Sequence, residues 1–211
     1  YTVEYGLSGF TQGTGTTVAS STNSTTVTGL TSYTVYDFYV QADCGTNGMS
    51  SFAGPVSLST CPNGVPFLED FDAIPASQIL TNATSACWTQ STNDVFDWLA
   101  NSGTTVSATT GPSDDITGGG NYMYIETSVP RTVGDSAVLI SPDFDLSTLT
   151  AAEISFRSHM YGASMGSLSV AVSSDGGTTF NTVWTKSGDQ GDQWVEEIIP
   201  LTGSNATVKF T

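Results

Sequence analysis

Chemistry in this chain has to be built from carboxylates, because little else is present to build it from. One histidine and four basic residues stand against 20 acidic ones, for a formal charge of −16. Nucleophilic hydrolysis needs a base beside a serine or cysteine. His159, inside SFRSHMYG, is the one histidine available and reads as a structural strand residue. Phosphoryl transfer lacks its cationic clamps, and Gly118 to Gly120 is not followed by the lysine and hydroxyl residue of a phosphate-binding loop, so a turn accounts for these glycines. Paired carboxylates for glycoside cleavage can be drawn from Asp70, Asp72, Asp114, Asp115, Glu196 and Glu197, but spacing along the chain does not set the separation that reaction demands. A solvated acidic face accounts for them equally, and the chain reads as a non-enzyme.

Calcium is the chemistry that suits such a composition. It is a hard cation taking about six to eight oxygen ligands. Asp70 and Asp72 flank Phe71, so on a strand they share one face and leave Phe71 to the core. Asp115 in the DDITGG turn would add oxygens, and Asp97 and Asp135 are further donors. The expectation is a structural calcium at Asp70, Asp72 and Asp115. No EF-hand spacing is present.

The elements that must position these residues are short strands. From Tyr1 to Thr60 the sequence alternates in YTVEYG, TTVTGL, SYTVYDFYVQADC and FAGPVSLSTC. Pro62, Asn63, Gly64 and Pro66 then interrupt the pattern, since proline cannot donate to a ladder. Strands resume at PFLEDFD and continue through DWLANSG, TTVSATT, NYMYIET, SAVLISP, AAEISFRSHM, GSLSVAVSS, FNTVWTKS, WVEEIIPL and ATVKF. No apolar spacing of three and four is sustained, so the fold class is all-β and antiparallel. The expected organisation is a first domain at residues 1–61, a linker at 62–66 and a second domain at 67–211. Both ends read as cut from a longer polypeptide, the second domain continuing beyond Thr211.

Composition narrows the partners. A surface this acidic offers almost nothing to nucleic acid phosphate, so DNA and RNA are excluded. No run of about 18 apolar residues is present, so no helical membrane span is expected. Only 11% of residues are charged, and the polar faces are instead hydroxyl- and amide-rich, the style of a secreted or cell-surface protein. Cys44, Cys61 and Cys87, with N-x-S/T sequons at Asn23, Asn82 and Asn205, suggest an oxidising compartment. If Cys44 and Cys61 end the two strands of a hairpin they lie roughly 30 Å apart, far beyond the about 7 Å that a disulfide spans.

Several short motifs occur in one order over the second half: FDW at Phe96 to Trp98, TGPSDDITGGGNYMYIETS from Thr110, SP at Ser141 and Pro142, ISFRSHMYGASMGSL from Ile154, and SGDQGDQW from Ser187. Together they resemble the MAM domain, an extracellular module of adhesion receptors and secreted proteins. The resemblance implies a jelly-roll β-sandwich. It aligns Asp115 with an aspartate of the family's TGP-x-x-D-H-T motif, Ile116 replacing the histidine, and its pattern carries His-Met at His159. It also implies a disulfide: Cys87 before Trp88 matches one family cysteine, Glu69 stands where its partner usually lies, and Cys61 is the nearest substitute, giving Cys61 to Cys87. Glu153 replaces a further family cysteine. Residues 1–61 resemble the second half of a fibronectin type III domain, with Leu30, Thr31, Ser32 and Tyr33 where that family places a tyrosine corner.

These resemblances imply a non-catalytic adhesion or interaction module of a larger extracellular multidomain protein, bacterial in style, whose partner is a cell-surface protein or a polysaccharide. The alternative is an accessory carbohydrate-binding module holding a remote hydrolase on its substrate. Trp88, Trp98, Trp184, Trp194, Tyr122 and Tyr124 offer faces a sugar could stack on, but most lie at signature positions that suggest core. The loop YGASMG, with Tyr161 and Met165, is the expected place for an exposed ligand contact.

Overall fold

A computed structural model describes residues 1–79 and 87–211; the sequon at Asn82 lies outside the described residues. The chain divides into two compact units, Tyr1–Cys61 and Pro62–Thr211.

The first unit is a four-stranded antiparallel sheet in the order β2-β1-β3-β4, formed by β1 (Thr2–Leu7), β2 (Thr16–Ala19), β3 (Val35–Gln41) and β4 (Ala53–Ser59). Its register puts Val3 beside Val18 and Val40, Tyr5 beside Phe38, and Tyr36 between Leu7 and Leu58. Paired residues point to the same side of a sheet, so one face is largely apolar, with Thr16 beside Tyr5 at its edge. Leu7, Val40, Val56 and Leu58 on it are exposed. The other face is closed by the loop after β1. Glu4 accepts the N–H groups of Gly13 and Gly15 at 2.7 and 2.8 Å. Asp37 accepts the Gly9 N–H and the hydroxyls of Ser8 and Ser57. Both carboxylates are buried yet fully engaged, as buried polar groups must be.

Two local expectations change here. The tyrosine that bonds back to the chain upstream is Tyr36, whose Oη accepts the Thr31 N–H at 3.1 Å while its ring is buried. Tyr33 is 72% exposed, at a φ of 50°. The segment TTVTGL, expected as a strand, is irregular among the described residues: no strand lies beside it to take its ladder hydrogen bonds.

The second unit is an antiparallel β-sandwich. One layer has the order β11-β10-β13-β8-β5, from β11 (Asn181–Ser187), β10 (Ser167–Ser173), β13 (Asn205–Phe210), β8 (Leu139–Asp145) and β5 (Thr89–Gln90). Facing it are two pairs, β9 (Ala152–His159) with β12 (Trp194–Leu201), and β6 (Leu99–Ser102) with β7 (Asn121–Tyr124). Val170, Val208 and Ile199 form one buried cluster with Ile154, Phe156 and Trp184 against it. Ile74, Trp88, Ala100 and Leu139 form another, with Phe71, Trp98 and Met123. Phe210 packs against both, so the two are continuous.

Strands β9 and β12 alternate side chains as half-buried strands do. Phe156 turns inward against Trp184 and Phe210, while Arg157 turns out to Glu196 on the paired strand. Between β10 and β11, Asp175 accepts the Ser173 hydroxyl, the N–H groups of Thr178 and Thr179 and the Thr179 hydroxyl, and Ser173 Oγ accepts the N–H groups of Asp175 and Gly177, so the two side chains close the turn together. Among the described residues ion pairs are few: Arg157 with Glu196, Lys186 with Glu197, and His159 with Asp192. Burial and hydrogen bonds, many of them from neutral donors to carboxylates, carry the fold in place of ion pairs.

Candidate functional site

The expectation that Asp70 and Asp72 lie on a strand is corrected by the structure. Residues 67–72 form no strand, and Phe71 adopts a φ of 62°. The carboxylates themselves bend the chain: Glu69 accepts the Phe71 N–H and Asp70 accepts the Asp72 N–H, both at 3.1 Å, local bonds that compete with a ladder. Phe71 still reaches the core, its ring 5.5 Å from that of Trp88.

Asp72 and Asp115 meet at Gly120. A side chain there would come within 2.6 Å of Asp72 Oδ1 and 2.9 Å of Asp115 Oδ2. Asp72 Oδ1 accepts the Asn121 N–H at 2.6 Å. Asp115 accepts the N–H groups of Thr117, Gly118 and Gly120 and the Thr117 hydroxyl. The hydroxyl and amide donors hold its carboxyl at about 2. Asp70 is engaged in its own turn, and the described residues contain no group of three or more acidic, histidine or cysteine side chains gathered as metal ligands. Asp97 and Asp135 stand elsewhere; Asp135 accepts the Thr132 N–H at 2.9 Å.

His159 sits under the β9 end, its side chain 3% exposed. Nε2 lies 3.1 Å from Asp192 Oδ1, and the ring packs edge-on against Tyr161 and Trp194. Burial lowers its pKa, with Asp192 opposing. Its neighbours are an acid and two aromatic rings, which makes it a packing residue. Glu196 and Glu197 point to opposite faces of β12, one toward Arg157, the other toward Lys186 and the Trp184 indole.

The aromatic side chains are committed inward. Trp98 Nε1 donates to the Ala137 oxygen at 3.2 Å, Trp194 Nε1 to the Asp114 oxygen at 3.1 Å, and the Tyr122 ring meets Trp194 at 5.7 Å. Large exposed apolar side chains in this unit are aliphatic; Val106 (86%), Val129 (92%) and Val133 (108%) lie on loops, as does Leu68 (86%), while Val183 and Ile198 are exposed on strands β11 and β12.

One concavity of about 150 Å³ opens between these loops and the YGASMG segment, lined by Thr105, Thr110, Glu126, Ser128, Ser164 and Met165 among others. Met165 thus lies where a ligand contact was expected. Tyr161 is partly buried, and its oxygen accepts the Gly111 N–H at 2.9 Å. Glu126 is the residue the sequence reading missed. Ser128 donates through both N–H and hydroxyl to Oε1, while Tyr124 Oη and Ser107 Oγ donate to Oε2. Burial raises its pKa, but these donors more than reverse this and hold it at about 2. A glutamate followed two residues later by serine was the available signal, a side-chain turn pattern.

Cys61 and Cys87 are both disulfide-bonded, and Cys44 is a free, exposed thiol. No helix among the described residues is long and apolar enough to cross a membrane.

Residues 81–211 match the family described as "MAM domain, meprin/A5/mu". The chain is 40% identical over 124 residues to MAM domain-containing glycosylphosphatidylinositol anchor protein 1 of Rattus norvegicus, covering 56% of this chain and 13% of that protein. It is 41% identical over 132 residues to MAM domain-containing glycosylphosphatidylinositol anchor protein 2 of Homo sapiens, covering 54% and 14%, and 39% identical over 97 residues to Neuropilin-1 of Xenopus laevis, covering 46% and 10%. These matches therefore span only a small part of each relative. They are vertebrate proteins and lend no support to the bacterial origin expected from style. Among solved structures, the K2 cleaved adhesin domain of Lys-gingipain aligns at a TM-score of 0.47 and 18% identity, covering 68% of this chain and 87% of that one. Through residues 81–211, this chain belongs to the MAM domain family.

Proposed function

We propose that this chain is a non-catalytic adhesion module of a larger extracellular or cell-surface protein, and that it contacts protein rather than polysaccharide. The observation that carries this reading is the division of its apolar side chains. In the second unit Trp98, Trp194 and Tyr122, rings that a sugar would stack on, are spent on the core and on main-chain hydrogen bonds, while its large exposed apolar side chains are aliphatic, Val106, Val129 and Val133 among them. Aliphatic loops with a polar surround suit protein contact. The relatives bearing a glycosylphosphatidylinositol anchor in their names support a place at the cell surface.

The test is adhesion of beads coated with residues 1–211 to one another and to cells, run beside a polysaccharide array. Expected are bead clusters or cell binding that weaken on Val129→Asp and Val133→Asp, with a blank array. Saturable polysaccharide binding that disappears on Tyr161→Ala would replace this reading with the carbohydrate-binding one.

Two further parts belong to the proposal. The first unit is one sheet of a fibronectin type III-like sandwich; its largely apolar face, which needs a covering layer, and the Tyr36 hydrogen bond to Thr31 support this. A structural calcium is bound at Asp72 and Asp115, with Asp70 adjacent. What supports it is that these two carboxylates approach one glycine and neither takes part in an ion pair among the described residues. Bound there, calcium would tie the segment that carries the core residue Phe71 to the turn that precedes β7.

A further inference from the structure

Glu126 carries a full negative charge into the wall of a cavity and meets only neutral donors there. Its four hydrogen bonds come from a main-chain N–H and three hydroxyls. None of the described ion pairs includes it. Arg131, on the loop that follows, turns its guanidinium over the Phe96 ring at 4.2 Å. The hydrogen bonds fix the carboxylate in place, yet a hydroxyl does not cancel a charge. The charge is left without an opposite partner among the described residues, so a cation brought to the cavity would gain by it.

The cavity walls agree with this. Around Glu126 stand the hydroxyls of Thr105, Thr110, Ser128 and Ser164, with Met165 and Ile125 as apolar surface. At about 150 Å³ it admits one long side chain and not an oligosaccharide. Hydroxyl and carbonyl oxygens suit the donors of a guanidinium or ammonium head, while the thioether and isoleucine suit its methylene stem. Apolar surface lies close by: Ser107 and Ser128 Oγ are 3.3 Å apart, and each has an exposed valine next to it in the chain, Val106 before Ser107 and Val129 after Ser128. A charged concavity beside exposed apolar side chains is a place where a partner's anchoring side chain can concentrate binding energy. The net charge of −16 adds long-range attraction for a basic partner.

We propose that the cavity beneath the Tyr161–Gly166 loop receives an arginine or lysine side chain of a partner protein, its head against Glu126 and the flanking partner surface on Val106 and Val129. The proposal rests on the adhesive reading given above and supplies the chemistry of the partner. Arginine fits better than lysine, because its planar fork can meet the carboxylate and neighbouring hydroxyls together.

The test titrates the chain, residues 1–211, with Nα-acetyl-arginine N-methylamide and follows backbone amide resonances. The neutral citrulline analogue and methyl α-glucoside serve as comparison probes. Expected are saturable shifts confined to residues 105–111, 124–128 and 162–165, weakening as salt rises. Ser164→Trp, an exposed position whose new ring fills the cavity, should weaken binding at least about tenfold without altering the rest of the spectrum. Glu126→Gln should do the same while the shape of the pocket is kept. Equal binding of citrulline, tighter binding of the glucoside, or shifts that never saturate would overturn the proposal. Beads that adhere although arginine does not bind defeat the pocket alone. Arginine binding with inert beads keeps the pocket and defeats the adhesive reading.

Discussion

The indole Nε1 of Trp194 on β12 donates to the main-chain oxygen of Asp114 at 3.1 Å, joining residues 80 positions apart. Asp114 immediately precedes Asp115, whose carboxylate shapes the following turn. One tryptophan therefore ties the β9 and β12 pair to the turn that leads into β7. Trp194→Phe keeps most of the ring volume and deletes the donor, so it should destabilise the second unit by about 1–3 kcal/mol. Trp194→Ala, which also leaves a void beside Tyr122 and His159, should cost about 3–5 kcal/mol. Calorimetric unfolding of the two variants separates the terms; equal losses would show that the hydrogen bond contributes little.

Calcium gives the aspartate turn a direct readout. In wild type, calcium is expected to raise the melting temperature relative to EDTA, and Asp72→Asn should abolish that difference while leaving the EDTA curve nearly unchanged. A calcium response that survives in Asp72→Asn would remove the ion from this turn. Gly120→Ala should lower stability with or without calcium, because its methyl would press on both carboxylates.

Acid should act in two stages. Burial holds His159 below its ordinary value, so the unfolded chain takes up a proton before the folded one does, and stability falls as pH drops through about 6.5. Glu126, Asp115 and Asp175 are each held at about 2 by hydrogen bonds. For these the sign is that of depressed carboxyls: their contribution is complete above about 4 and disappears as pH falls toward about 2. Melting temperature measured across pH should show both declines, and His159→Gln should erase the first only.

The cysteines are expected to differ in reactivity. An alkylating reagent should modify the exposed Cys44 alone in the native chain, and all three cysteines after reduction and unfolding. Cys61→Ser should lower stability by about 3 kcal/mol if the bond chiefly restricts the unfolded chain. Native labelling of more than one thiol would contradict the assignment.

The sandwich was legible in the sequence because burial repeats along a strand with a period of two. Ile154, Phe156 and Ser158 alternate with outward residues as β9 requires, and Trp98 and Trp194 stood in signature motifs that already suggested core. Asp70 and Asp72 also alternate, yet they form no strand. Short acidic side chains bond their own backbone, and alternation cannot reveal whether a neighbouring strand exists to compete with them. The same blindness set the expected tyrosine contact of the first unit around Tyr33 when Tyr36 makes the hydrogen bond to Thr31. Both tyrosines follow Leu30 closely, and only the β3 register, with Tyr36 between Leu7 and Leu58, shows which one faces inward. Glu126 escaped notice because a single glutamate becomes unusual only when its hydroxyl donors arrive from Ser107 and Tyr124, on separate segments.

The scarcity of ion pairs makes folding and recognition answer to different solution variables. A sandwich held by burial and short-range hydrogen bonds, with few ion pairs, loses little when salt screens its charges, and screening also relieves the mutual repulsion of its acidic surface. Attraction for a basic partner weakens under the same screening. Raising ionic strength should therefore release the partner from a molecule that has become, if anything, harder to unfold, so dissociation in high salt is a property of the contact and not a sign of damage to the fold.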